Sequence, residues 1–350
     1  LTRDPRTSAP YFVLNEDSAS GRSDVVTAGG AGAIHQHFVA WPAREEPSLQ
    51  ADVRRVLGLA HELIELSQLD ALDIEYAVSN DDRYHLLQVR PLPAAKKRGD
   101  LADDDLFDLV AGAREFVEEK MKPASGLLGA GTVLGVMPDW NPAEMIGLSP
   151  RPLALSLYQR QIGASAWAEA RHRMGYRDLR PEPLIVALGG RPYVDVRASL
   201  NSLLPASLDE RMGSHWVDAC LDRLRSNPAL HDKIEFELAI SCLAPDWMQA
   251  SQRLREAGLE PERFAACLRP LTQRILDGSL EPIAAQLAAI RKLDERRRAV
   301  RCASGDPNGL ARVVLRHLDD CRDYGVVPFS ILARYGFISM SFLRGFVTAG

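Results

Sequence analysis

Cysteine is scarce and scattered: Cys220, Cys242, Cys267, Cys302 and Cys321 are odd in number, with no C-x-x-C pair and no zinc-like spacing. That argues against a disulfide framework or a zinc ribbon and fits a reducing cytoplasm. No uninterrupted apolar run reaches the roughly 18 residues of a membrane span, and no basic-then-apolar leader opens the chain. Neither sign of charge dominates, with Lys+Arg 42 against Asp+Glu 47 and a net charge of -5, so nothing draws the whole molecule to nucleic acid or an anionic membrane. Phosphate-cradling loops are missing too. "AGGAGA" lacks the Lys-Ser/Thr of a P-loop, and no G-x-G-x-x-G leads from a strand into a helix.

What is present is ordinary globular material, 350 residues with 46% hydrophobic and 25% charged. At roughly 150 residues per domain, that length implies about two domains. The chain opens on Leu1 and "TRDPRTSAPYFVL" without an initiator Met, which reads as a segment of a longer polypeptide. "PYFVL" and "DVVT" are short β-rich runs separated by turn formers. Val53, Val56, Leu57, Ala60, Leu63 and Ile64 then recur at helical spacing.

A polar linker, "PAAKKRGDLADDDL", is expected at about 93 to 103, and the chain beyond it is mostly helical. There "DWNPAEMIG" sets Asn141, Pro142 and Glu144 as a capping box. "PLIVALGGRPYVDVR" reads as two strands about Gly189-Gly190, with "TVLGVM" as a third. The fold class is therefore α+β, with 1–95 a small sheet and covering helix and 96–350 a mainly helical domain carrying a small β hairpin.

The informative stretch is "LDIEYAVSNDDRYHLLQVRPL", Leu72 to Leu92. Paired about the Asp81-Asp82 turn, it sets Glu75 opposite Gln88 and Asp73 opposite Arg90. All four then share one face, with Ile74, Tyr76, Leu87 and Val89 on the other. A carboxylate, an amide oxygen and a guanidinium in one patch can hold a hard cation and a phosphate together. Simple cross-strand complementarity gives the same residues a purely structural role, and at this stage both readings stand.

"DIEYAV…YHLLQVRPL" resembles the D-I-E…L-Q-x-R-P signature that closes the ATP-grasp nucleotide-binding domain of the phosphoenolpyruvate synthase and pyruvate, phosphate dikinase family. The opening "TRDPRTSAPYFVL…SGRSDVVTAG" is similar to the hairpin that precedes it there. "GVMPDWNPAEMIG", "RPLALSLY", "PYVDVR" and "YGVVPFSILARYGF" look like a synthase-like subgroup with a large helical middle region.

The resemblance implies that residues 1–95 are the C-terminal part of an ATP-grasp domain. It implies Glu75 and Gln88 as Mg²⁺ ligands, Arg90 as the ATP phosphate contact, and Asp73 as the group that orients Arg90. ATP and Mg²⁺ would be the cofactors, with pyruvate or phosphoenolpyruvate as a further small-molecule substrate. No nucleic-acid or membrane partner is implied.

The chain departs from the family in three parts: the first ATP-grasp subdomain, the phosphohistidine carrier and the pyruvate-binding barrel. "TAGGAGAIH" imitates the carrier motif, but His35 falls one residue late and Ala33 replaces its Ser. "MGSHW" around His215 imitates it less well. The carrier His is therefore expected elsewhere, in the same or a partner chain. Alternatives from other classes are a non-catalytic binding or scaffold module and a small-molecule dikinase of the antibiotic-modifying type.

Lesser candidates have bland readings beside them. His35 and His37 share a side of an extended segment but lack a third metal ligand. "RKLDERRRAVR" contains Asp294 and Glu295 and reads as a solvated helix face. Asp139, Asn141, Glu144 and Arg151 cluster at two helix starts, and Asp195 and Arg197 share an expected strand face; an acceptor site in the helical region would use these six.

Overall fold

The computed structural model describes residues 1–17, 34–79, 81–93, 102–277, 280–299 and 306–349. The "DVVT" strand, the Gly cluster before Ile34, most of the expected linker, Cys302 and the end of the basic run lie outside the described residues. The molecule mixes helix and sheet, 59% and 13%. Its contacts divide it into two units, Leu1–Gly112 and Ala113–Gly350.

In the first unit, β1 (Tyr11–Asp17) pairs antiparallel with β2 (Ile34–Ala40). Helix α1 (Ala51–Ser67) turns Val53, Val56, Leu57 and Ala60 inward, the positions its spacing marks as apolar. They bury against Phe12, Leu14 and Val39 to form this unit's core. Strands β3 (Leu72–Val78) and β4 (Tyr84–Pro91) make a second two-stranded sheet.

Residues 1–3 fasten the start of that second sheet. Thr2 N donates to Leu72 O at 2.9 Å, Leu72 N to Thr2 Oγ1 at 2.7 Å, and Val13 N to Leu1 O at 2.9 Å. Arg3 lies over the Trp41 ring at 4.5 Å and pairs with Asp70 at 2.7 Å and Asp103 at 2.6 Å. "LTR" thus joins β1 to β3 and holds the hairpin at its open end.

Helix α2 (Asp103–Lys120) begins on three Asp residues, which suit the positive end of its dipole. In the second unit, β5 (Leu134–Gly135), β6 (Ile185–Leu188) and β7 (Arg191–Asp195) form an antiparallel sheet in the order β5-β7-β6. Gly189 and Gly190 both take positive φ, 55° and 76°, in the two-residue turn that "GG" signals.

Short helices α3 (Pro142–Ile146), α4 (Pro152–Tyr158), α5 (Ala166–Met174) and α6 (Val196–Asn201) surround the sheet. Then come α7 (Glu210–Ser226), α8 (Trp247–Glu256), α9 (Pro261–Asp277), α10 (Leu280–Ala299), α11 (Pro307–Cys321) and α12 (Val327–Ala349). Met212, Trp216, Cys220, Leu221 and Leu224 of α7 pack with Leu254, Phe264 and Leu268 in the largest core. A second core surrounds Trp167, Leu184 and Val194, and a third joins Tyr176 to Val327, Ile331 and Ile338 of α12.

The helical stretch Pro307–Thr348 is long and apolar enough to cross a membrane by composition, with a mean hydropathy of 1.5 and 33% of its best window buried. Its buried face packs into the third core.

Two expected outcomes follow from this packing. Gly175 takes φ +103, and an added Cβ would run into the Arg274 guanidinium, which donates to Met174 O. Gly175→Ala should therefore cost about 1–3 kcal/mol by chemical denaturation. Burial pushes the thiols of Cys220 and Cys242 up to about 12 and about 11, whereas Cys321 is exposed. Among the cysteines of the described residues, iodoacetamide near pH 8 should label Cys321 first, read by peptide mass, and leave Cys220 and Cys242 unmodified until unfolding.

Candidate functional site

The β3–β4 register sets Asp73 opposite Arg90 and Glu75 opposite Gln88, the pairing read from the sequence. Alternation puts these four side chains on one face. Arg90 Nε and Nη2 donate to Asp73 Oδ2 at 2.9 and 2.7 Å. The Asp73 contact raises the guanidinium's pKa and fixes its direction. Among the described residues, neither Glu75 nor Gln88 engages a hydrogen bond or ion pair, so a carboxylate and an amide oxygen face one another uncommitted.

One expected position is corrected. The register shifts between Glu75 and Tyr76, so Tyr76 meets Leu86 and Leu87 becomes the extra residue of a β-bulge. Leu87 leaves the packing face, 60% exposed, and Leu86 replaces it beside Ile74 and Tyr76. The bulge also pairs His85 with Ala77 where a regular ladder would pair it with Val78, and its Nε2 lies 3.2 Å from Ser79 Oγ. No residue in "RYHLLQ" signals a bulge, so a fixed pairing sum misses this pair.

The opposite face of the hairpin is apolar. With Phe12, Leu57, Ala60 and Leu63, Ile74, Tyr76 and Tyr84 line a cavity of about 280 Å³. Tyr76 Oη donates to Glu16 at 2.8 Å, and burial, aided by Glu16, raises its phenol pKa. His37 stands 3.8 Å from Glu16 on the β1–β2 sheet. Among the described residues no group of three His, Cys, Asp or Glu, with or without His35 and His37, could hold a metal.

The six residues of the helical region do not converge on one pocket. Asp139 is buried, bidentate to Arg171 at 2.6 and 2.9 Å, and accepts from Ser199 at 2.7 Å. Asn141 caps α3 through Glu144 N at 3.1 Å, but its own N-H donates to Pro138 O, so only half of the capping box forms. Arg151 is exposed at the start of α4.

Asp195 and Arg197 do not share a strand face. β7 ends at Asp195, whose carboxylate caps α6 by accepting from Ala198 N at 3.1 Å, and Arg197 lies inside that helix. Arg197 is buried and donates to the carbonyls of Lys122 at 2.8 Å and Lys120 at 3.2 Å, which occupies it at the end of α2.

Sequence reading missed a buried charge network. Glu235 accepts from Arg171 Nη2 at 3.2 Å and stands 3.1 Å from Arg334 Nη1, so two guanidiniums and two carboxylates alternate in the interior. Arg334 also reaches Ser241, and its guanidinium lies 5.9 Å from the Tyr176 ring. Burial opposes the Arg334 charge, but Glu235 and Tyr176 more than offset it, so its pKa rises.

Compared with protein-family models, curated proteins and solved structures, the chain matches none. The geometry of the hairpin therefore stands on its own.

Proposed function

We propose that residues 1–95 are the C-terminal part of an ATP-grasp nucleotide-binding domain in an ATP- and Mg²⁺-dependent phosphotransferase of the dikinase type, working in the cytoplasm. The supporting observation is the assembly of Asp73, Glu75, Gln88 and Arg90 on one hairpin face, with Arg90 held by Asp73 and the Glu75 and Gln88 oxygens uncommitted.

That donor set fits a hard cation. Mg²⁺ takes oxygen ligands and keeps waters and substrate phosphates in its shell, so two protein ligands suffice. The ion would neutralise phosphate charge, while Arg90 grips a phosphate oxygen and Asp73 keeps the guanidinium aimed. The phosphoryl group would pass to a carrier His outside this chain and then to a small-molecule acceptor such as pyruvate.

The test is Mg²⁺-dependent ATP binding by the native gene product. Arg90→Ala should weaken it by roughly tenfold, the order of a lost charge-assisted hydrogen bond. ATP binding that is absent, or indifferent to Mg²⁺ and to Arg90, overturns the reading.

A second reading, a binding or assembly module, draws on Leu86, Leu87 and Val89, which are 55%, 60% and 37% exposed on the hairpin. It requires that no nucleotide bind.

A further inference from the structure

A cleft of about 1060 Å³ opens in the second unit between the turn Ile234–Leu238, helix α8 and the last turns of α12. Its size is that of a small-molecule site. Four cations line it: Arg223, Lys233, Arg253 and Arg344. Among the described residues none of the four has a carboxylate oxygen within ion-pair distance.

Arg253 is the most telling of them. It is half-buried, and Nη1 donates only to neutral carbonyls, Glu237 O at 2.5 Å and Leu238 O at 3.3 Å. Burial lowers its pKa; Arg223 adds to the effect, while Cys220, Glu237 and Asp246 oppose it. The half-buried guanidinium thus has carbonyl oxygens as its hydrogen-bond acceptors and no carboxylate within ion-pair distance among the described residues, which leaves it able to take an anion. Arg223, exposed, lines the same cleft, so a second guanidinium is open to a ligand there.

The carboxylates of the cleft do not fill that role. Glu235 is held by Arg171 and Arg334, and Glu256 accepts from Gln252 at 3.0 Å. Asp246 is packed against α12, where a Cβ on Gly345 would stand 3.1 Å from its Oδ1. Glu237 is exposed. Apolar side chains form part of an otherwise polar wall: Trp247 and Leu343 line the cleft with Phe236, whose ring carries Arg344 at 4.3 Å.

We infer that this cleft binds a phosphorylated small organic molecule, with its phosphate between Arg223 and Arg253 and its apolar body on Phe236, Trp247 and Leu343. Paired guanidiniums match phosphate oxygens in fork geometry, which a single ammonium cannot do.

Isothermal titration with phenyl phosphate and with inorganic phosphate tests this on the intact chain. Phenyl phosphate should bind, and bind more tightly than inorganic phosphate. Arg223→Met, a change at an exposed residue, should weaken phenyl phosphate at least about tenfold with an unchanged circular dichroism spectrum. Arg90→Ala in the other unit should leave the affinity unaltered, which separates this cleft from the hairpin. Absence of phenyl phosphate binding, equal affinity for the two probes, or full affinity in Arg223→Met overturns the inference. Arg253→Met adds a second reading of the same contact where it folds.

Discussion

Arg171→Met should unfold the second unit about 3–5 kcal/mol more easily, a loss of roughly 10 °C in Tm. Arg171 is 4% exposed, and its guanidinium is the bidentate partner of Asp139 and a donor to Glu235. Removing it leaves the Asp139 carboxylate in the interior with Ser199 as its remaining side-chain donor. The Asp139 backbone is also strained, with φ at 56° in the left-handed region, and the lost pair is what holds that turn. Adding Asp139→Asn to Arg171→Met removes the stranded charge, so the double variant should lose less than the sum of the two single changes. Strict additivity in calorimetry would show that the two groups act independently, against the geometry.

The second large effect falls on function and spares the fold. On the proposed function, Glu75→Gln in the native gene product should lower ATP-dependent phosphorylation of a carrier His by about 10²-fold or more, because phosphoryl transfer depends on positioning and charge neutralisation. Stability should stay within about 0.5 kcal/mol, since Glu75 is only half-buried and makes no hydrogen bond or ion pair among the described residues. A large activity loss with unchanged unfolding separates a ligand role from a structural one. Undiminished phosphorylation removes Glu75 from the metal site.

What could be read from the sequence was local. The α1 stripe, the Gly189-Gly190 turn and the Asp73–Arg90 register each follow from neighbours within about twenty residues, where period and turn chemistry decide the outcome. The misses came from two sources. A bulge shifts the register without a residue type that announces it, and this displaced Leu87 and moved His85 opposite Ala77. Contacts across long sequence distances leave no periodic trace: Arg171 meets Asp139 across 32 positions and Glu235 across 64. For the same reason Asp139 and Arg197 looked available for a ligand, whereas burial commits both to the interior. Asp195 and Arg197 were misplaced because the strand ends at Asp195 and the helix begins at Val196, so no alternating face runs on to Arg197.

The most direct measurement of the Mg²⁺·ATP assignment is paramagnetic. With Mn²⁺·ATP added to the native gene product, the Ile74 and Val89 methyl signals, on the strands that carry Glu75 and Gln88, should broaden. The broadening should disappear with excess Mg²⁺·ATP and in the Glu75→Gln, Gln88→Met double variant. Methyl signals that stay sharp, or that broaden equally in the double variant, would place the nucleotide metal elsewhere and contradict the assignment.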